Sequence, residues 1–231
     1  MTHPGLVCHD DLMEDRQNFG FYLEMTDTAP EAYGVDRAPS VLRTRGVTQA
    51  SMWRNVNRDR SDLPRALPEF SYLAVYEVGD DFTPPPADSV PADVVGAYHF
   101  VRTPRPGQGN LSGKPTIGLS LVLISPRDDA QAQELRDWGD FVHIRHIAEA
   151  SVPGYTMITP YVNAQSGGHP RFMHWYEIDS DDPERVFKSM TPLVTARMGG
   201  SDHEQWRRWA HTPSLRIMYV NTFERVQVFE S

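Results

Sequence analysis

The sequence predicts an α+β fold made of two tandem β-α-β-β-α-β units, and three observations predict it. The first is the stretch 117–178, which reads as strand, helix, strand and strand in turn. The second is an echo between the halves: Tyr76-Glu77-Val78 returns as Tyr176-Glu177-Ile178, at an offset of about 100 residues that other elements keep. The third is a pair of glycines in matching places. Gly46 precedes a strand containing Trp53, as Gly154 precedes one containing Tyr161.

Taken in order, 1–18 is polar and acidic and reads as an N-terminal arm. The first unit spans 19–103. Its opening strand, Phe-Gly-Phe-Tyr-Leu-Glu-Met at 19–25, is rich in aromatics. A helix begins near Pro30 but is weakened by Gly34 and Pro39, and its last turns end at Gly46. Strands follow at 47–56 and 69–78, separated by a charged loop. Residues 79–91 hold four prolines with little apolar periodicity, so a loop is expected where the unit's second helix belongs. A strand at 94–102 closes the unit, and 104–116, rich in proline and glycine, reads as a linker.

The second unit spans 117–231. Its first strand, 117–124, is apolar on both faces. Pro126-Arg127-Asp128-Asp129 supplies a turn and N-cap, and one helix is expected over 130–151, ended by Val152-Pro153-Gly154. Strands at 155–162 and 171–178 come next. Asp182-Pro183-Glu184 opens a helix running to about Met198, with proline in its favoured first turn. A short helix at 203–209 and a strand at 215–224 complete the chain.

Composition excludes some partners. The net charge of −9 over 231 residues argues against a phosphate-backbone partner, which selects clustered cationic charge. No apolar run approaches the roughly 20 residues that cross a bilayer, so no membrane partner is expected. The start of the chain lacks a basic segment followed by an apolar one, as a secretory signal would have. One cysteine, Cys8, excludes an internal disulfide framework and suits a reducing cytoplasm.

Candidate chemistry concentrates in the second unit. Drawn at about 100° per residue, the helix 130–151 carries Leu135, Trp138, Phe141, Val142 and Ala148 on an apolar stripe. Arg145 falls inside that stripe, His146 and Glu149 flank it, and His143 lies further round. A charged Arg in a packing stripe needs a partner or an anionic ligand. Two readings compete: Arg145 binds a substrate carboxylate, or it pairs with Glu149 at i, i+4 while His146 is structural. His143 and His146 have a spacing open to a metal, but no further ligand cluster completes a site, so neither metal nor cofactor is expected. On 171–178, alternation puts Phe172, His174, Tyr176 and Ile178 on one face, where His and Tyr suit acid–base work. The strand before it places Tyr155, Met157, Thr159 and Tyr161 together. In the first unit Trp53 stands where Tyr161 does, followed by Arg54, a second candidate carboxylate clamp. G-x-G-x-x-G, Walker-type and G-x-S-x-G signatures are absent.

The run 119–155, with Trp138, His143 and the Val152-Pro153-Gly154 turn, resembles the dimeric α/β-barrel (ferredoxin-like) superfamily, closest to its EthD-like and stress-responsive branches. In that family a Trp precedes a helical His at the spacing of Trp138 and His143, and a Pro-Gly follows before the second strand. The distance from His143 to Pro153 is longer than the pattern, so His146 is the alternative equivalent. The resemblance covers about 117–225, and 19–103 in outline. It implies that two ferredoxin-like repeats supply both sheets of one barrel, and it leaves a homodimer open. The family includes isomerases, cyclases, cofactor-free monooxygenases and haem enzymes, so fold alone does not choose.

The expected function is a cofactor-independent isomerase acting on a small unsaturated or aromatic carboxylate, such as an aromatic ring-cleavage product. His143 or His146 would be the general base, and His174 and Tyr176 would polarise or protonate an oxygen. Arg145 or Arg54 would hold the carboxylate, with Trp53, Trp138, Tyr155 and Tyr161 as aromatic walls. The alternatives are a cofactor-free monooxygenase or cyclase of a polyketide-like phenol, and a non-catalytic small-molecule-binding or stress-response module.

Overall fold

The computed structural model describes residues 20–59, 62 and 64–229. The expected arm at 1–18, Cys8 and Phe19 lie outside the described residues. The first half runs β1 (Gly20–Thr26), α1 (Pro30–Leu42), β2 (Val47–Asn55), β3 (Tyr72–Val78) and β4 (Val94–Arg102). After a short β5 (Gln108–Gly109), the second half runs β6 (Gly118–Pro126), α2 (Ala132–Trp138), a π-helical segment (Gly139–His143), α3 (Ile144–Glu149) and β7 (Tyr155–Asn163). It ends with β8 (Phe172–Ile178), α4 (Pro183–Arg197), α5 (Glu204–Ala210) and β9 (Leu215–Phe229).

All strand pairings are antiparallel. Strand order is β4-β1-β3-β2 in one half and β9-β6-β8-β7 in the other. The halves join through β2–β9, and β4 also pairs with β7, so eight strands close into a barrel with β5 appended to β7. This is the architecture of a dimeric α/β barrel, completed within one chain. The barrel is filled by alternate side chains from every one of its strands, among them Leu23, Trp53, Leu73, Phe100, Leu121, Tyr161, Trp175 and Phe223. The opposite faces are covered by helices: α1 over the first sheet, α2 to α5 over the second. Among the described residues, no helix is long and apolar enough to cross a membrane.

Several elements depart from the pattern read in the sequence. Gly34 and Pro39 do not break α1, which is continuous. Gly34 lets the helix sit close on β9, since a Cβ there would come within 2.9 Å of the Phe229 ring. The stretch 104–116 is more than a linker, because β5 hydrogen-bonds to β7 within it. β9 runs past the expected end at 224 to Phe229, pairing with β2 as it goes.

The expected single helix over 130–151 is the most consequential case. The π segment inserts one extra residue into the turn, so Gly139 and Ile144 face inward five positions apart. Everything downstream is rotated relative to a regular helix. Ile144 and Ile147 take the core, while Phe141 and Arg145, placed inward by a 3.6-residue period, point to solvent. In β7 a register shift between Tyr155 and Met157 does the same to a strand. Tyr155 turns to the helices, whereas Met157, Thr159 and Tyr161 turn to the barrel's interior side.

Candidate functional site

Between the second sheet and its helices lies a cavity of about 200 Å3. That is somewhat larger than the ~150 Å3 apolar cavity known to take benzene, so it admits a molecule of about two fused rings. β6 contributes Ser120, Val122 and Ile124, β8 contributes His174 and Tyr176, and β7 contributes Tyr155. Trp138 and His143 enter from the helical side, as do Phe187 and Met190 of α4. No Lys or Arg is among its described lining residues.

His143 is held in one tautomer. Its Nδ1 lies 3.0 Å from the Trp209 carbonyl, and a carbonyl only accepts, so Nδ1 carries the hydrogen. Trp209 Nε1 donates back to the His143 carbonyl at 3.1 Å. The imidazole stacks on Trp209 (centroids 5.3 Å, planes 6° apart) and meets Trp138 at 4.8 Å. Burial pushes its pKa down to about 4, against the partial support of the Trp209 carbonyl. The ring is therefore neutral at pH 7, and Nε2, which has no hydrogen-bond partner among the described residues, keeps its lone pair.

His174, almost fully buried, reaches Asp140 Oδ1 through Nε2 at 3.0 Å. The other oxygen of Asp140 accepts from Arg105 Nη1 at 3.0 Å, and Arg105 also holds Asp137 at 2.5 Å. A guanidinium from just beyond β4 thus neutralises the buried carboxylate that orients His174. Gly139 belongs to this arrangement: a Cβ there would stand 2.8 Å from His174 Cε1. Tyr155 and Tyr176 pack at 5.5 Å, and the Tyr155 hydroxyl shares a hydrogen with Ser120 Oγ at 3.0 Å. The Tyr176 hydroxyl has no hydrogen-bond partner among the described residues. Burial raises both phenol pKa values, so both stay protonated donors.

Of the residues singled out in the sequence, the fold brings His143, His174, Tyr155, Tyr176 and Trp138 to this cavity. It sends Trp53 and Tyr161 to the barrel's interior side. Arg145 is exposed and donates to Glu149 Oε1 at 2.8 Å, the pairing that competed with a substrate role. His146 lies 3.4 Å from Glu149 and faces away from His143's cavity, so the two histidines do not share a site. Arg54 is ion-paired with Glu224 at the surface. Sequence reasoning missed Asp140, Arg105, Ser120 and Trp209. A glycine in mid-helix beside an aspartate was the one local signal for the first of these.

No family model matches the sequence, and no curated protein matches it either. Among solved structures the chain is similar to an anthrone oxidase-like protein (TM-score 0.51, 13% identity, 93% of each chain covered). It is also similar to a candidate monooxygenase of Fusobacterium nucleatum (TM-score 0.47, 8% identity, 92% of each chain). A third is a variant chlorite dismutase from Candidatus Nitrospira defluvii (TM-score 0.47, 10% identity, 91% of this chain and 92% of that one). The first of these supports the barrel fold.

Proposed function

We propose that this protein is a cofactor-independent oxygenase acting on a small phenolic or enolisable aromatic molecule held between the second sheet and its helices. One observation carries the reading: two imidazoles and two protonated phenols converge on an apolar cavity whose described lining has no cation. His174, oriented by Asp140, takes a proton from the substrate, and the imidazolium that forms is balanced by the substrate oxyanion created with it. Tyr155 and Tyr176 donate to the oxygen on which negative charge gathers. Nε2 of neutral His143 accepts a hydrogen bond from a substrate hydroxyl and fixes its orientation. The electron-rich carbon then reacts with O2. A ring methylene becomes a carbonyl, with one oxygen atom entering the product and the other leaving as water.

The name of the anthrone oxidase-like relative in fold favours oxygenation over isomerisation. So does the position of the arginines. An isomerase of a carboxylate needs a cation at the substrate, and Arg145 and Arg54 are both spent on surface carboxylates. A tetrapyrrole does not fit a cavity of about 200 Å3. We further infer that the halves are an internal duplication divided near the 104–116 crossover. Supporting this, Trp53 pairs with Arg225 across β2–β9 as Tyr161 pairs with Arg102 across β7–β4.

The test is oxygen uptake with hydroxynaphthalenes and two-ring enolisable aromatic ketones as substrates. The wild-type protein consumes O2 in step with product, and His174→Gln lowers the rate by about 10²- to 10⁴-fold. Product formed without O2 uptake, or an undiminished rate in both His174→Gln and His143→Gln, overturns the reading.

A further inference from the structure

We propose that the open end of the barrel is a second ligand site, for a flat aromatic carboxylate, separate from the cavity under the helices. A hollow of about 940 Å3 opens there, within the range of small-molecule sites. Its deep wall is aromatic. Phe21 lies 4.7 Å from Trp175 and 5.1 Å from Tyr161, and Trp53 meets Trp175 edge-on at 6.2 Å. Such ring faces offer a planar ligand offset and edge contacts.

The rim is charged in a regular way. Arg102 is on β4 and Arg225 on β9, four strands apart in a ring of eight, so they stand on opposite sides of the mouth. Glu77 on β3 and Glu177 on β8 occupy the two intervening quarters. Lys114, from the crossover between the halves, adds a third cation against these two carboxylates. Glu177 is already engaged, accepting from Thr116 Oγ1 at 2.8 Å. Neither Arg102 nor Arg225 has a carboxylate partner among the described residues; Arg225 lies over the Trp53 ring at 5.8 Å. Two guanidinium forks beside an aromatic wall are suited to a carboxylate on a ring, which each can bind in bidentate fashion.

The crossover gives the hollow a fixed side. Gly107 packs where a Cβ would lie 2.9 Å from Met157 Sδ, and Gly109, at φ +136°, lies against the Thr156 carbonyl. Residues Leu111 to Lys114 then form part of the wall. This site does not depend on the oxygenase reading.

Calorimetric titration of the full chain with 2-naphthoate tests it. Saturable binding is expected, weakened about tenfold or more in the Arg102→Gln/Arg225→Gln double variant, both side chains being exposed and their loss leaving the melting temperature near wild type. His143→Gln leaves the naphthoate affinity unchanged, and neutral 2-naphthamide binds more weakly than the acid. Absence of saturable binding, full affinity in the Arg102→Gln/Arg225→Gln double variant, or loss of affinity in His143→Gln overturns the proposal.

Discussion

The outer faces of the two sheets occupy matching registers and end in opposite states. In the first sheet Tyr22 pairs with Tyr76 and Glu24 with Ala74; in the second, Ser120 pairs with Tyr176 and Val122 with His174. The first face is filled. Tyr22 and Tyr33 donate to Glu24 at 2.9 and 2.5 Å, the Tyr33 and Tyr76 hydroxyls lie 2.8 Å apart, and Arg37 Nε donates to Glu24 at 3.0 Å. The second face has a serine and a valine in place of Tyr22 and Glu24, and the volume they leave is the cavity. A closed network of Glu24, Tyr22, Tyr33, Tyr76 and Arg37 stabilises one half; in the other, His143 Nε2 and the Tyr176 hydroxyl line a hollow with no hydrogen-bond partner among the described residues. Two smaller side chains on one strand, more than any added motif, separate a filled face from a hollow one.

That contrast can be broken from either side. The largest stability effect is expected at Arg37→Ala, which strands the buried Glu24 carboxylate and costs about 3–5 kcal/mol in denaturant unfolding. Turnover of the surviving folded protein stays near wild type, because α1 does not touch the cavity. A change in the Michaelis parameters of that variant would erase the distinction between the faces.

Next in size is a pH effect at His143. The unfolded ring takes up a proton near pH 6.5, while the folded ring resists until about pH 4. The unfolded state binds more protons in that window, so stability falls as pH drops through it, by about 3 kcal/mol in all. Unfolding free energies measured from pH 7 to pH 4 should lose most of this slope in His143→Gln. An unchanged slope means that another group carries it.

The smallest effect is expected at Arg145→Ala. An exposed i, i+4 pair contributes a few tenths of a kcal/mol, so stability shifts by less than about 0.5 kcal/mol and turnover holds. A large drop in turnover there would return Arg145 to the substrate.

Much of this was legible in the residues themselves. The alternation of 172–178 has no interruption, so His174 and Tyr176 fall on the helix-facing side as period two requires. The Tyr76 and Tyr176 echo foretold strands in matching registers. What stayed hidden lies where one residue is added to a regular period. The π segment Gly139–His143 turned Arg145 outward and Asp140 inward, and the β7 bulge split Tyr155 from Tyr161. Both insertions are settled by tertiary contacts, such as the fit of Gly139 against His174, which local propensity does not encode. Arg105 was invisible for a different reason, since its carboxylate partners belong to the other half of the chain.

The imidazoles of His143 and His174 face one hollow, and 15N NMR of histidine-labelled protein titrated with 1-naphthol tests most directly whether it binds aromatics. His143 is expected to stay neutral in its Nδ1–H form from pH 7 to pH 5, and both rings to shift together as the naphthol saturates. An Nε2–H tautomer at His143, or a naphthol response that bypasses both rings, contradicts it.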